Sequence, residues 1–263
     1  MRQNYQVIIM LIELHDYYTS QGIHPLNFQC RHFQECNADC DTFTEAKMAY
    51  VGSEYEKGTQ PRVLFLSLDS GSGEMDPQRR VVEMVRQEEE YNYNEDVVAR
   101  LPKNRHWDIT HKMAWVLLHP FQPDLTIASA KPYWAHTNSA KCCQNNPKRG
   151  QAHPRLFRNC RSYILGELEV LQPEILVTQG AKAKEVIESL PRISFDMMLG
   201  YEDEVWVVHI KGRPVLCITT MHPTARDFGK QQMARWKPYV KIAERFITQM
   251  YPRFEAQRNE KLR

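Results

Sequence analysis

Nothing in this sequence of 263 residues approaches the run of ~18 apolar residues that a membrane-crossing helix needs. The apolar stretch VIIMLIELH is preceded by Arg2 rather than by a basic cluster, and no small-residue cleavage site follows it. It reads as the core face of a helix rather than a secretory signal, so a cytoplasmic location is expected. No internal repeat is visible, and only EEEYNYNED approaches low complexity. Strong charge of either sign is lacking too: 34 basic against 32 acidic residues leave a formal charge of +2. The count of seven cysteines is odd, which argues against a complete disulfide framework. In a reducing compartment such thiols point towards metal binding or catalysis.

What is present is local. Basic residues gather in KNRH, KRGQAHPRLFRNCR, KGRP and ARWKPYVK, and acidic ones in RQEEEYNYNED and YEDE. Basic loops among aromatics fit a nucleic-acid footprint, and solvated surface loops fit equally. Three β-branched apolar runs, RVLFLSLD, PEILVTQG and VLCITTMHP, read as buried parallel strands. KPYWAHTN is a weaker fourth strand and EVWVVHI a fifth. Helical patterns lie between and after them, in RLFRNCRSYILGELEVL, AKAKEVIESL and ARWKPYVKIAERFITQMY. The alternation predicts one α/β domain, a three-layer α/β/α sandwich around a mostly parallel sheet. A helical, cysteine-bearing segment is expected at about residues 1–60 and an acidic insert at about 76–104.

Ligands of such sheets sit beyond the carboxyl ends of the strands. Those ends carry Asp69, Asn138 and His222. Singly, each has an ordinary structural explanation as a turn cap or a loop hydrogen bond. Three polar residues at one end of one sheet point instead to a site.

The ordered motifs between Cys36 and Arg226 resemble the uracil-DNA glycosylase superfamily, specifically its iron–sulfur branch, family four. VLFLSLDSGSGE resembles that branch's strand and Gly-Glu-Ala-Pro-Gly-x-x-Glu loop, with Gly71 and Glu74 in register. HTNSAKC resembles its Thr-Asn-x-x-Lys-Cys segment, CRSYILGELEVLQPEILVTQGAKA its cysteine-bearing helix and next strand, and MHPT its His-Pro-Ser-like loop. The resemblance implies a 4Fe–4S cluster on Cys36, Cys40, Cys142 and Cys160, although four thiolates at this spacing suit zinc as well. The chain departs from the branch in having C-x3-C where C-x2-C is usual, and in its extra thiols. Cys30 is an alternative N-terminal ligand, Cys143 an alternative to Cys142, and Cys217 reads as a small buried hydrophobe. The cluster is expected to staple the 142–160 loop and present Lys141, Lys148, Arg149, Arg155 and Arg158 to phosphate.

For a glycosylase acting on an extruded pyrimidine, the resemblance assigns three roles. Asn138 would read the base edge, His222 would donate to the departing base, and Asp69 would support the sugar cation or orient water. Family four has glutamate at the position of Leu68, and Asp69 instead resembles the aspartate of the Gly-Gln-Asp-Pro-Tyr motif in the main uracil enzymes. If the segment is extended, that one-residue move reverses the carboxylate's direction. Ser70 and Gly71 are implied at the substrate, Thr224 and Arg226 at the DNA, and His106 or Trp107 as the stacking aromatic, Trp107 being the larger platform. The expected activity is monofunctional release of uracil or another modified pyrimidine by a DNA-binding monomer, leaving an abasic site. Alternatives are a glycosylase for a bulky hypermodified base in phage DNA, acting in antiviral defence, and a non-catalytic iron–sulfur or zinc nucleic-acid-binding protein.

Overall fold

The computed structural model describes residues 9–38, 42–71, 75–92, 104–145, 152–193, 200–226, 228 and 236–254. In chain order the elements are α1 (Ile9–Ser20), α2 (Phe33–Asn37), β1 (Thr42–Thr44), β2 (Tyr50–Val51), α3 (Ser53–Lys57), β3 (Val63–Asp69), α4 (Val82–Asn92) and α5 (Arg105–Leu118). There follow β4 (Trp134–Ala140), β5 (Cys143–Asn145), α6 (Pro154–Leu171), β6 (Ile175–Gln179), α7 (Ala181–Ile187), β7 (Val205–Ile210), β8 (Arg213–Thr220) and α8 (Trp236–Met250).

The sheet runs β2-β4-β3-β6-β8-β7. Its four inner strands are parallel, and β2 and β7 close the edges antiparallel. Strands buried on both faces need continuous apolar runs, which is what VLFLSLD and ILVTQ supply. β4 was expected to be weak because its polar residues obscure the pattern, yet every residue from Trp134 to Ala140 is buried. The polar ones are satisfied on alternate faces. Thr137 bonds Glu167 of α6 on one side, while His136 meets Ser67 and the ring of Trp107 from α5 on the other. Helices therefore cover both faces.

Local chemistry sets the helix ends near the site. Asn104 Oδ1 caps α5 by accepting from His106 N. His153 Nδ1 does the same for α6, with Pro154 in the first turn. Gln172 adopts φ 47° and Pro173 follows, so α6 stops there. β5 pairs antiparallel with β1 in a separate two-stranded ribbon, bringing the N-terminal cysteine segment beside β4. Neither β2 nor this ribbon is anticipated by the sequence pattern, because strands of two or three residues carry no period.

The described part of the acidic insert is ordered into the fold. After a 3₁₀ turn at Pro77–Arg80, α4 packs along β2. Residues 93–103, like 1–8, lie outside the described residues. Among the described residues no helix is long and apolar enough to cross a membrane.

Candidate active site and thiol cluster

Parallel pairing aligns the carboxyl ends of β3, β4, β6 and β8 along one edge, with Ser67 opposite Asn138 and Gln179 opposite Thr220. A cavity of about 1480 Å³ opens there, and Asp69, Ser70, Gly71, Asn138, His222 and Thr224 all line it, as do His106 and Trp107. β3 stays extended through Asp69, so its carboxylate projects opposite to Leu68, as strand alternation requires. Side chains of β4 pin this end: Asn138 Nδ2 donates to Asp69 O at 2.9 Å, and Ser139 Oγ donates to Ser67 O at 2.7 Å. Asn138 thus has one amide hydrogen committed, leaving its carbonyl oxygen and second hydrogen for the cavity. Ser70 Oγ accepts from Arg80 Nη2 at 3.0 Å, a fully buried guanidinium that also holds Ala46 O.

His222 sits beyond β8, against Gly180. That glycine has φ 102°, and a Cβ there would lie 3.2 Å from Leu68 and 3.5 Å from His222 Cβ. The tautomer of His222 follows from its partners. The backbone N–H of Thr224 donates to Nδ1 at 3.3 Å, and Thr224 Oγ1 lies 2.7 Å from the same atom. An atom that accepts an amide hydrogen carries no proton, so a neutral ring is protonated on Nε2. Burial lowers the pKa of His222, opposed by the charge of Asp69. The ring is therefore a neutral Nε2–H donor at pH 7. Thr224, expected on DNA, serves here to fix that ring, and Arg226 is exposed beside it.

Behind His222 lies a layer of neutral imidazoles. His106 stacks on His222 with centroids 5.0 Å apart and planes at 23°. Burial drives His106 down to about 4 and His111 to about 2, and holds His136 well below its ordinary value. Trp107 packs at 4.9 Å on His136 and at 6.4 Å on Trp134, so the expected stacking platform is half-built into the wall. A depressed histidine pKa means that protons bind the unfolded chain first. Stability is then complete above about pH 6.5 and falls as pH drops towards 4. Among the described residues His106 Nδ1 has no hydrogen-bond partner. Hence His106→Phe should flatten the pH dependence of denaturant-derived stability across that window, by up to about 1.4 kcal/mol per pH unit. An unchanged slope would mean that His106 ionises in the native state.

The adjacent cysteines diverge. Cys143 Sγ donates to Asp69 Oδ2 at 3.5 Å, so it faces the site rather than a metal. Burial holds the Cys142 thiol well above the usual range, and the neighbouring Cys160, Cys30 and Cys36 add to that shift. Cys160 is pushed up to about 11 by burial, with Cys36 and Cys30 adding to the shift. All four are free thiols, and one stretch of α6 gathers three of them: Cys160 stands on it, Cys36 Sγ accepts from Asn159 at 3.4 Å, and Cys30 Sγ lies 3.8 Å from Tyr163 Oη. Among the described residues no three His, Cys, Asp or Glu side chains are drawn to metal-holding geometry. The donor set nonetheless suits a cluster or zinc by its chemistry, since four free thiols from three segments lie near enough to raise one another's pKa. Cys40, Lys148 and Arg149 lie outside the described residues. Cys217 is fully buried in β8.

One expectation is corrected. Lys141 cannot reach phosphate: it is 1 % exposed and its Nζ pairs with both carboxylate oxygens of Glu167, at 3.0 and 3.2 Å. Its position in β-alternation with Thr137, facing α6, put it inside. In the first turns of α6, Arg155 is half-buried and Arg158 exposed, and both engage Glu35. Sequence reasoning did not find Glu89, Lys47 or His136 in the cavity wall. Only the i, i+2 spacing of His136 and Asn138 in a strand could have flagged one of them. No known protein-family profile matches this chain, and no curated protein is detectably similar to it.

Proposed function

We propose that this protein is a monofunctional DNA glycosylase with a uracil-DNA glycosylase-like sandwich, releasing uracil or another modified pyrimidine to leave an abasic site. The observation that carries this reading is the convergence of Asp69, Asn138 and a neutral Nε2–H donor on His222 in one cavity at the strand ends. An extruded base in that cavity would be read at its edge by the Asn138 amide. As the N-glycosidic bond breaks, its electron pair leaves with the base, and His222 donates a hydrogen bond to the oxygen that gains charge. Asp69, acceptor-only when ionised, supports the positive sugar carbon and orients the water whose oxygen adds there. Cys36, Cys142 and Cys160, with Cys30 or Cys40, would hold the 4Fe–4S cluster or, less in keeping with the sequence resemblance, zinc. Once bound, the cluster supplies structural cross-linking beside β4 and β5, and no redox step is required. The partner is DNA, met by a monomer through Arg226 and the loop bearing Lys148 and Arg149.

A second reading, a bulky modified base of the kind found in phage DNA, is favoured by the cavity volume and by Gly71. With φ 65°, Gly71 has nothing among the described residues within 4 Å of where a Cβ would stand. The test is incubation with DNAs carrying different modified bases, followed by alkali. Strand breaks that appear only after alkali are expected. Breaks without alkali would show lyase chemistry at Lys47 or Lys182, which also line the cavity. Release of no base from any DNA would overturn catalysis and leave the binding-protein reading.

A further inference from the structure

The acidic insert forms a wall of the cavity. Helix α4 is fixed there by three anchors: Arg86 donates to Val51 O, Arg86 pairs with Glu56 at 2.9 Å, and Glu90 accepts from Ser53 N at 2.9 Å. It is therefore a rigid wall rather than a loop over the opening. From it Glu89 lines the same cavity as Asp69 and His222.

Glu89 is held from behind. Its Oε2 pairs with Lys131 Nζ at 2.8 Å, and that lysine is 1 % exposed. The ammonium lies over the rings of Tyr50 at 4.1 Å, Trp134 at 4.3 Å and Trp107 at 5.0 Å. A buried ion pair is a costly way to fill a wall, since apolar side chains of similar volume often serve stability as well. The pair does something an apolar wall cannot: it fixes a carboxylate facing the cavity, with Oε1 unpartnered among the described residues. Its charge is also felt at His106, the ring stacked on His222, so it acts within the same site.

Resting on the glycosylase reading, we propose that Glu89 is a specificity-determining residue that accepts a hydrogen bond from an amine or hydroxyl on the edge of the extruded base facing α4. A carboxylate attracts such a donor and repels a bare carbonyl at the same place. The favoured substrate class is thus a pyrimidine carrying a donor substituent, rather than uracil itself.

The experiment compares single-turnover release from DNAs that differ in one donor: 5-hydroxymethyluracil against uracil and thymine, and 5-hydroxymethylcytosine against 5-methylcytosine. Wild-type protein should prefer the donor-bearing member of a pair by about 10- to 100-fold, the range for a hydrogen bond to a charged group. Glu89→Gln should shrink that ratio to within about threefold. Because Glu89→Gln takes from Lys131 the carboxylate it pairs with, the double variant Glu89→Gln, Lys131→Met serves as the folded control, with thermal unfolding measured for each. An undiminished ratio in both variants overturns the proposal alone, as does wild-type preference for uracil or thymine. Release of no base by wild-type protein overturns the glycosylase reading and this proposal with it.

Discussion

Replacing His222 with alanine should lower the single-turnover rate of base release by about 10²–10³-fold while leaving DNA affinity nearly intact. That is the loss expected when one preorganised donor to a developing negative charge is removed. The expectation follows from how the ring is held. Thr224 engages Nδ1 and His106 stacks on the ring's face, so the Nε2–H is fixed before any charge appears. Burial keeps the ring neutral, which spares the site a competing full positive charge. The effect should be strongly non-additive with Asp69→Asn, because both groups act on one transition state. A His222→Ala protein that releases base at the wild-type rate would remove His222 from the chemistry. One that merely binds DNA less well would move it to recognition.

Much of the architecture was legible in the sequence because buried parallel strands require β-branched runs that little else produces. β3, β6 and β8 announce themselves in this way, and their carboxyl ends led to Asp69 and His222. β4 was harder to read because its polar residues answer to partners far along the chain, Thr137 to Glu167 and His136 to Ser67. Lys141 was misplaced for the same reason. A lysine in a basic loop looks solvated until a carboxylate 26 residues away, inside α6, is found against it. Glu89 was invisible as a cavity residue, since an acidic run on a helix ordinarily faces water. It is turned inward by its pair with Lys131, whose ammonium lies over three aromatic rings distant in sequence. The two adjacent cysteines showed that thiols mattered but not that one would turn to the carboxylate of Asp69 and the other towards Cys160, Cys30 and Cys36.

That division makes a second large effect testable. Cys160→Ser should abolish the bound metal, and with it the visible absorption of a 4Fe–4S protein, and should destabilise the fold severely. For a structural metal site the binding energy is folding energy, about 10–16 kcal/mol in small zinc domains, against a typical domain stability of about 5–15 kcal/mol. Cys160 is central because its sulfur accepts from Lys141 N at 3.5 Å at the end of β4, and because its helix turn carries the contacts of both Cys36 and Cys30. Loss of that ligand should therefore loosen β4, α2 and α6 together, which hydrogen exchange would register as a joint loss of protection. Iron content and visible absorption of further variants identify the fourth ligand. Cys30 already lies beside Tyr163, one turn beyond Cys160 on α6, so Cys30→Ser should bleach the protein whereas Cys40→Ser should leave it coloured. Bleaching by Cys40→Ser alone would restore the ligand set implied by the sequence resemblance. A Cys160→Ser protein that keeps its full metal content and stability would remove the thiols from cofactor binding, and their mutual burial would then be packing alone.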